Sequence, residues 1–196
     1  MKKLFLSIIT VSALALGAVN FTYAAPVNSS AETTLTNVSN ISKIEVRGNV
    51  TLYISDASVD QIKVYNKYYS ESAVVQNKNG VLNIASYGRE KLVVWVSAND
   101  LRSVSAYDNA EVKSFGNLLK IEFNVDLHDN TSAKLNLDTY SVAISVSDFA
   151  KADLTGSANE FSLSREFAAS VNNHNFKAEH FADNKVNFPA DDMAGI

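Results

Sequence analysis

A short segment in the second half of the chain recurs at near-constant spacing. It reads Asp108-Asn-Ala-Glu-Val-Lys, then Asp129-Asn-Thr-Ser-Ala-Lys, then Asp148-Phe-Ala-Lys-Ala-Asp, with a fainter copy at Phe167-Ala-Ala-Ser-Val-Asn. The steps are 21, 19 and 19 residues. A period near twenty on strand-like sequence predicts a coiled β structure in which each repeat is one rung. Three sets of equivalent positions follow: Ala110, Thr131, Ala150 and Ala169; Val112, Ala133, Ala152 and Val171; Ser114, Leu135, Leu154 and Asn173. Residues two apart share a strand face, and stacked strands lie about 4.8 Å apart, so each set is expected to form a column. Phe123, Ile144 and Leu163, also 21 and 19 apart, are expected to form a bulkier one. Glu111, Ser132, Lys151 and Ser170 lie between the columns and are expected to face out.

Upstream of the repeats the signal is strand alternation. Ile44, Val46, Val50, Leu52 and Ile54 alternate with Glu45, Arg47, Thr51 and Tyr53, with a tight turn expected at Gly48-Asn49. Gln61-Ile-Lys-Val-Tyr and Val81-Leu-Asn-Ile-Ala read as further strands, the second following an Asn77-Lys-Asn-Gly80 turn signal. Lys91-Leu-Val-Val-Trp-Val96 is the most apolar run and reads as a buried strand. No useful length shows helical periodicity. The fold class expected is therefore all-β, a right-handed parallel β-helix-like solenoid with rungs of about 19–21 residues; a β-sandwich is the alternative.

The termini read differently. Lys2, Lys3 and the apolar run Leu4–Val19 have the layout of a secretory signal peptide, with cleavage expected after Ala24. Residues 25–40 read as a flexible lead-in, 41–188 as a single β domain, and 189–196 as a frayed tail. The expected mature chain carries 15 basic and 21 acidic residues, a net charge of −6, which disfavours nucleic acid and anionic lipid. There is no cysteine, so no disulfide framework and no lipidated cysteine anchor. No second long apolar run is present, so no transmembrane span is expected in the mature chain. An exported protein is expected, in the periplasm, on the outer surface or secreted.

Ile44-Glu-Val-Arg-Gly-Asn-Val-Thr-Leu-Tyr-Ile, Asn79-Gly-Val-Leu-Asn-Ile, Leu92-Val-Val-Trp-Val, Leu101-Arg-Ser-Val-Ser-Ala and the repeats after them follow one another as in a known family. Over residues 41–188 the chain resembles the head GIN domain of auto-transporter adhesins. The resemblance implies a right-handed β-helix-like solenoid and a role in adhesion or polysaccharide binding. That family's rungs start on a Ser-Gly-Ser-Gly type turn. Here the positions read Ala106-Tyr-Asp-Asn, Leu127-His-Asp-Asn, Val146-Ser-Asp-Phe and Arg165-Glu-Phe-Ala. Asp and Asn tolerate left-handed backbone and satisfy turn amides with their own side chains, so the turn is expected to survive.

Chemistry-bearing candidates are few. Asp108, Asp129 and Asp148 could share a calcium ion if stacked, with Asn109 and Asn130 adding carbonyl ligands. Solvent-facing turn capping is the preferred reading, because Phe167 breaks the column and no glycine-containing calcium loop occurs. No cofactor is expected. His128, His174 and His180 match no zinc spacing. No nucleophile elbow is present and no carboxylate pair is singled out for glycoside hydrolysis. Tyr65, Tyr68 and Tyr69 form the one aromatic cluster, and tyrosines on a sheet face can stack on sugars. The function expected is a non-catalytic binding or adhesion module of the cell envelope, with polysaccharide or a cell-surface component as partner. The alternatives are a polysaccharide-cleaving enzyme and a purely structural envelope protein. The open ends of a stack favour either caps or self-association.

Overall fold

The computed structural model describes residues 32–35, 38–65 and 73–186; the expected signal peptide, Tyr68, Tyr69 and the tail lie outside them. Thirteen strands and no helix are present among the described residues. They are β1 (Glu32–Leu35), β2 (Lys43–Gly48), β3 (Val50–Asp56), β4 (Gln61–Tyr65), β5 (Ala73–Lys78), β6 (Val81–Ser86) and β7 (Leu92–Ala98). There follow β8 (Ser103–Ala106), β9 (Glu111–Ser114), β10 (Leu118–Leu127), β11 (Ser132–Val146), β12 (Lys151–Glu166) and β13 (Ser170–Val186). The all-β expectation holds.

All thirteen belong to one curled sheet. The last three strands are 15 to 17 residues long and stack in parallel: β12 pairs β11 on one side and β13 on the other. On its other edge β11 carries two strands in succession, β9 along its first residues and β10 along the rest. From there the sheet divides into two wings. One runs β9-β3-β7-β4-β1, the other β10-β8-β2-β6-β5. The wings curl around a single apolar core, to which both contribute. Alternation of small or branched apolar residues with polar ones keeps one face of every wing strand inward.

The repeat sets the register. Ser132 pairs Lys151, which pairs Ser170, each 19 residues on. Glu111 pairs Ser132, 21 residues on. The columns Ala110-Thr131-Ala150 and Val112-Ala133-Ala152 are buried, as expected, with Ala169 and Val171 partly covered at the last rung. The bulky column differs from expectation. Phe123 pairs Val142, and Ile144 pairs Val125 and Leu163. Phe115, Gly116 and Asn117 interrupt the rung between β9 and β10 and absorb two residues, so the offset is 21 before them and 19 after. The third column stops at Leu154, because a register shift between β12 and β13 falls there.

Three smaller expectations change. Glu32–Leu35, inside the expected lead-in, forms an edge strand antiparallel to β4, anchored by a Glu32–Lys63 ion pair at 3.0 Å. Gly48-Asn49 turns the chain round a corner from one wing to the other, since β2 and β3 pair different partners. There a Cβ on Gly48 would lie 2.1 Å from the Ser86 carbonyl oxygen. The Leu92–Val96 run is buried on one face only; Val93, Trp95 and Ser97 look outward.

Candidate functional site

Each rung begins on a four-residue turn closed by a backbone hydrogen bond: Tyr107 to Ala110, His128 to Thr131, Ser147 to Ala150 and Glu166 to Ala169. Asp108, Asp129 and Asp148 hold the first central position with φ of 61°, 57° and 54°, and the residue after each has negative φ. Positive φ at that position alone is the type II′ pattern, which favours glycine there. Aspartate does the work of that glycine and adds a ladder. The Asp108 N–H donates to Asp129 Oδ2 at 2.8 Å, the Asp129 N–H to Asp148 Oδ2 at 2.9 Å, and the Asp148 N–H to Glu166 Oε2 at 3.0 Å. At the head of the ladder Tyr87 Oη donates to Asp108 Oδ2 at 3.3 Å. Asp129, Asp148 and Glu166 thus each serve the amide of the preceding turn, and Asp108 accepts from Tyr87. Among the described residues no three acidic or histidine side chains converge on a point where a metal could sit. The fourth turn, with Phe167 in place of Asp, lacks the positive φ and leaves that ring 97% exposed.

The outer face of the β3–β7 wing carries the aromatic residues. Tyr53 stacks on Trp95 with centroids 4.6 Å apart, and Phe115 meets Trp95 edge-on at 4.8 Å. Lys113 Nζ lies 5.9 Å from the Tyr53 ring centre. Tyr65, from the expected tyrosine cluster, ends β4 at the border of this face. Beside it Glu111 accepts from Lys113 at 2.9 Å and from Lys91, and these two bonds pull its carboxyl down to about 2. The same bond holds Lys113 above its ordinary value. Ring faces here are occupied by one another, which is how cross-strand aromatic pairs fill a sheet surface.

The outer face of the other wing differs. Two rows of outward side chains cross the strands. One is Lys43, Ser103, Asn124, Ala143 and Ser162. The other is Glu45, Ser105, Asp126, Ser145 and Ser164. Between them runs a furrow of about 340 Å³, floored by Val104, Val125 and Ile144. Its charges are internally paired: Lys43 to Glu45 at 2.8 Å, and His128 Nε2 to Asp126 Oδ2 at 2.9 Å. The bond to Glu45 raises Lys43 above its ordinary value. At the turn end the His128 ring lies parallel to Tyr107 at 4.9 Å, and the Arg47 guanidinium covers the Tyr107 ring at 3.8 Å. Sequence reasoning missed both Tyr53-Trp95-Phe115 and the furrow. Strand alternation alone could have placed Tyr53 and Trp95 outward. The furrow had no signal, because its residues are common surface types that only pairing aligns.

Solved structures share the fold. A putative adhesin from Bacteroides fragilis NCTC 9343 superposes with a TM-score of 0.67 at 13% identity, covering 79% of this chain and 76% of that one. A putative adhesin from Parabacteroides distasonis ATCC 8503 gives 0.66 at 14% identity, covering 79% and 77%. A putative lipid binding protein from the same organism gives 0.62 at 8% identity, with the same coverage. No curated protein matches the chain. With a family model matching residues 40–185, the curled sheet and its repeated rungs belong to the family described as "Putative auto-transporter adhesin, head GIN domain".

Proposed function

We propose that this chain is an exported, non-catalytic binding and adhesion module of the bacterial cell envelope, built as a right-handed parallel β-helix-like solenoid. The observation that carries the reading is the unbroken 19-residue register of β10, β11 and β12, which repeats outward side chains at strand spacing. A long face with a regular repeat suits an extended polymer such as a polysaccharide. Membership of an adhesin family agrees with an envelope location.

Enzymatic cleavage has less support. His128 is bonded to Asp126 and stacked on Tyr107, with no hydroxyl bonded to its ring among the described residues. The acidic residues of the ladder serve backbone amides. The test is incubation of the mature protein with envelope polysaccharide. A binding module retains the polymer and releases no fragments. Released oligosaccharides would make the protein an enzyme, and neither retention nor release would leave a structural role.

A further inference from the structure

We propose that the furrow between the Ser103 and Ser105 rows takes an uncharged glycan chain lying along the stacking axis. This rests on the binding-module reading and gives it a place and a ligand class.

Ser105 points to a ligand. It is 6% exposed, yet its hydroxyl has no hydrogen-bond partner among the described residues, and it lines the furrow. The hydroxyl oxygen opens to solvent in the furrow, where a ligand hydroxyl can take the place of water. Neighbours at strand spacing repeat the same chemistry: Asp126 beside Ser105, then Ser145, then Ser164. Serine hydroxyls donate and accept, Asn124 does both, and Asp126 accepts. Sugar hydroxyls also donate and accept, so a glycan can answer the whole row. An apolar peptide or acyl chain would answer none of the row's hydroxyls.

The electrostatics select against a charged polymer. Lys43 is taken by Glu45 and His128 by Asp126, so the furrow offers no free cation to a uronate or phosphate. The chain as a whole is acidic.

The experiment is calorimetric titration of the mature protein with cellohexaose, laminarihexaose and a galacturonate hexamer at low and moderate salt. At least one uncharged hexamer should bind with little salt dependence. Ser145→Trp and Ser164→Trp project outward and block the furrow; each should weaken binding at least tenfold while the thermal transition stays in place. Ser105→Ala should weaken it severalfold. Lys134→Trp, on the stretch of β11 that pairs β9 and away from the furrow, should bind as wild type does. Binding of an uncharged hexamer that both tryptophan variants leave unchanged overturns the furrow and keeps the binding-module reading. Binding of the galacturonate hexamer alone overturns the ligand class. If no glycan binds and envelope polysaccharide is not retained, both fall together.

Discussion

Asp129 sits at φ 57°, accepts the Asp108 N–H and donates its own N–H to Asp148. Left-handed backbone costs a residue with a Cβ about 1–2 kcal/mol, which a short polar side chain offsets by bonding locally. Asp129→Ala loses the acceptor and keeps the strain. Asp129→Gly loses the acceptor and removes the strain. The alanine variant should therefore be less stable than the glycine variant by about 1 kcal/mol in urea unfolding. Equal stability would show that backbone strain is not what the side chain manages. Glu111 supports a different residue-scale prediction. Its folded pKa of about 2 lies below the ordinary 4.5, so its contribution is complete above 4.5 and lost as pH falls towards 2. Glu111→Gln should flatten the loss of stability between those pH values. Because the side chain is partly solvated, the difference should be about 1 kcal/mol or less, read from urea midpoints against pH. The turns were legible in the sequence because Asp and Asn announce left-handed backbone. Asp108, Asp129 and Asp148 carried that signal together with a hint of metal, and only the structure shows their carboxylates bonded to Tyr87 and to the amides of neighbouring turns.

At the scale of elements, the long bent strands β11 to β13 depend on close backbone approach. Gly156, in the middle of β12, has φ 110° and pairs Leu137 and Phe176. A Cβ there would stand 1.9 Å from the Leu137 carbonyl oxygen. Gly156→Ala should cost about 3 kcal/mol or more, since neither the left-handed backbone nor the ladder can give way, and a thermal melt would read it. A loss below about 1 kcal/mol would mean that the strand rearranges freely at its bend. A lone glycine in a strand pattern marks such a site only weakly, so the bend was not legible. Periodicity gave the rungs, but it could not give the two residues absorbed at Phe115–Asn117. That insertion moved Phe123 opposite Val142 while Val112 stayed opposite Ala133. Beyond the strands β8 to β10, the wings do not continue the repeat. Their strands could be read from alternation, whereas β4 and β5 running antiparallel to the rest follows from tertiary pairing. The furrow belongs with them, as a product of alignment across five wing and rung strands.

The whole molecule must end a stack whose core would otherwise lie open. At one end the antiparallel strands β1 and β5 lie at the two wing edges. At the other end β13 has a paired neighbour on one side only. The core columns change character there. Val125, Ile144 and Leu163 are buried in register, and Asp183 occupies the next place. Leu127 and Val146 are buried, followed by Arg165 and then Lys185. Asp183 pairs with Arg165 at 2.7 Å, and both of these side chains are about a quarter exposed. Charged residues in inward positions of an edge strand oppose the pairing of further chains, because an added rung would bury them. Of the two outcomes expected for an open stack, caps or self-association, this end has the features of a cap. The double variant Asp183→Leu, Lys185→Leu would continue the Val125-Ile144-Leu163 column to the open edge and remove the charge from the last place of the other. It should associate more strongly than wild type as concentration rises in sedimentation velocity, while its far-ultraviolet spectrum keeps the β signature. If both sediment alike at every concentration, the charges are incidental and some other feature of β13 keeps the edge free.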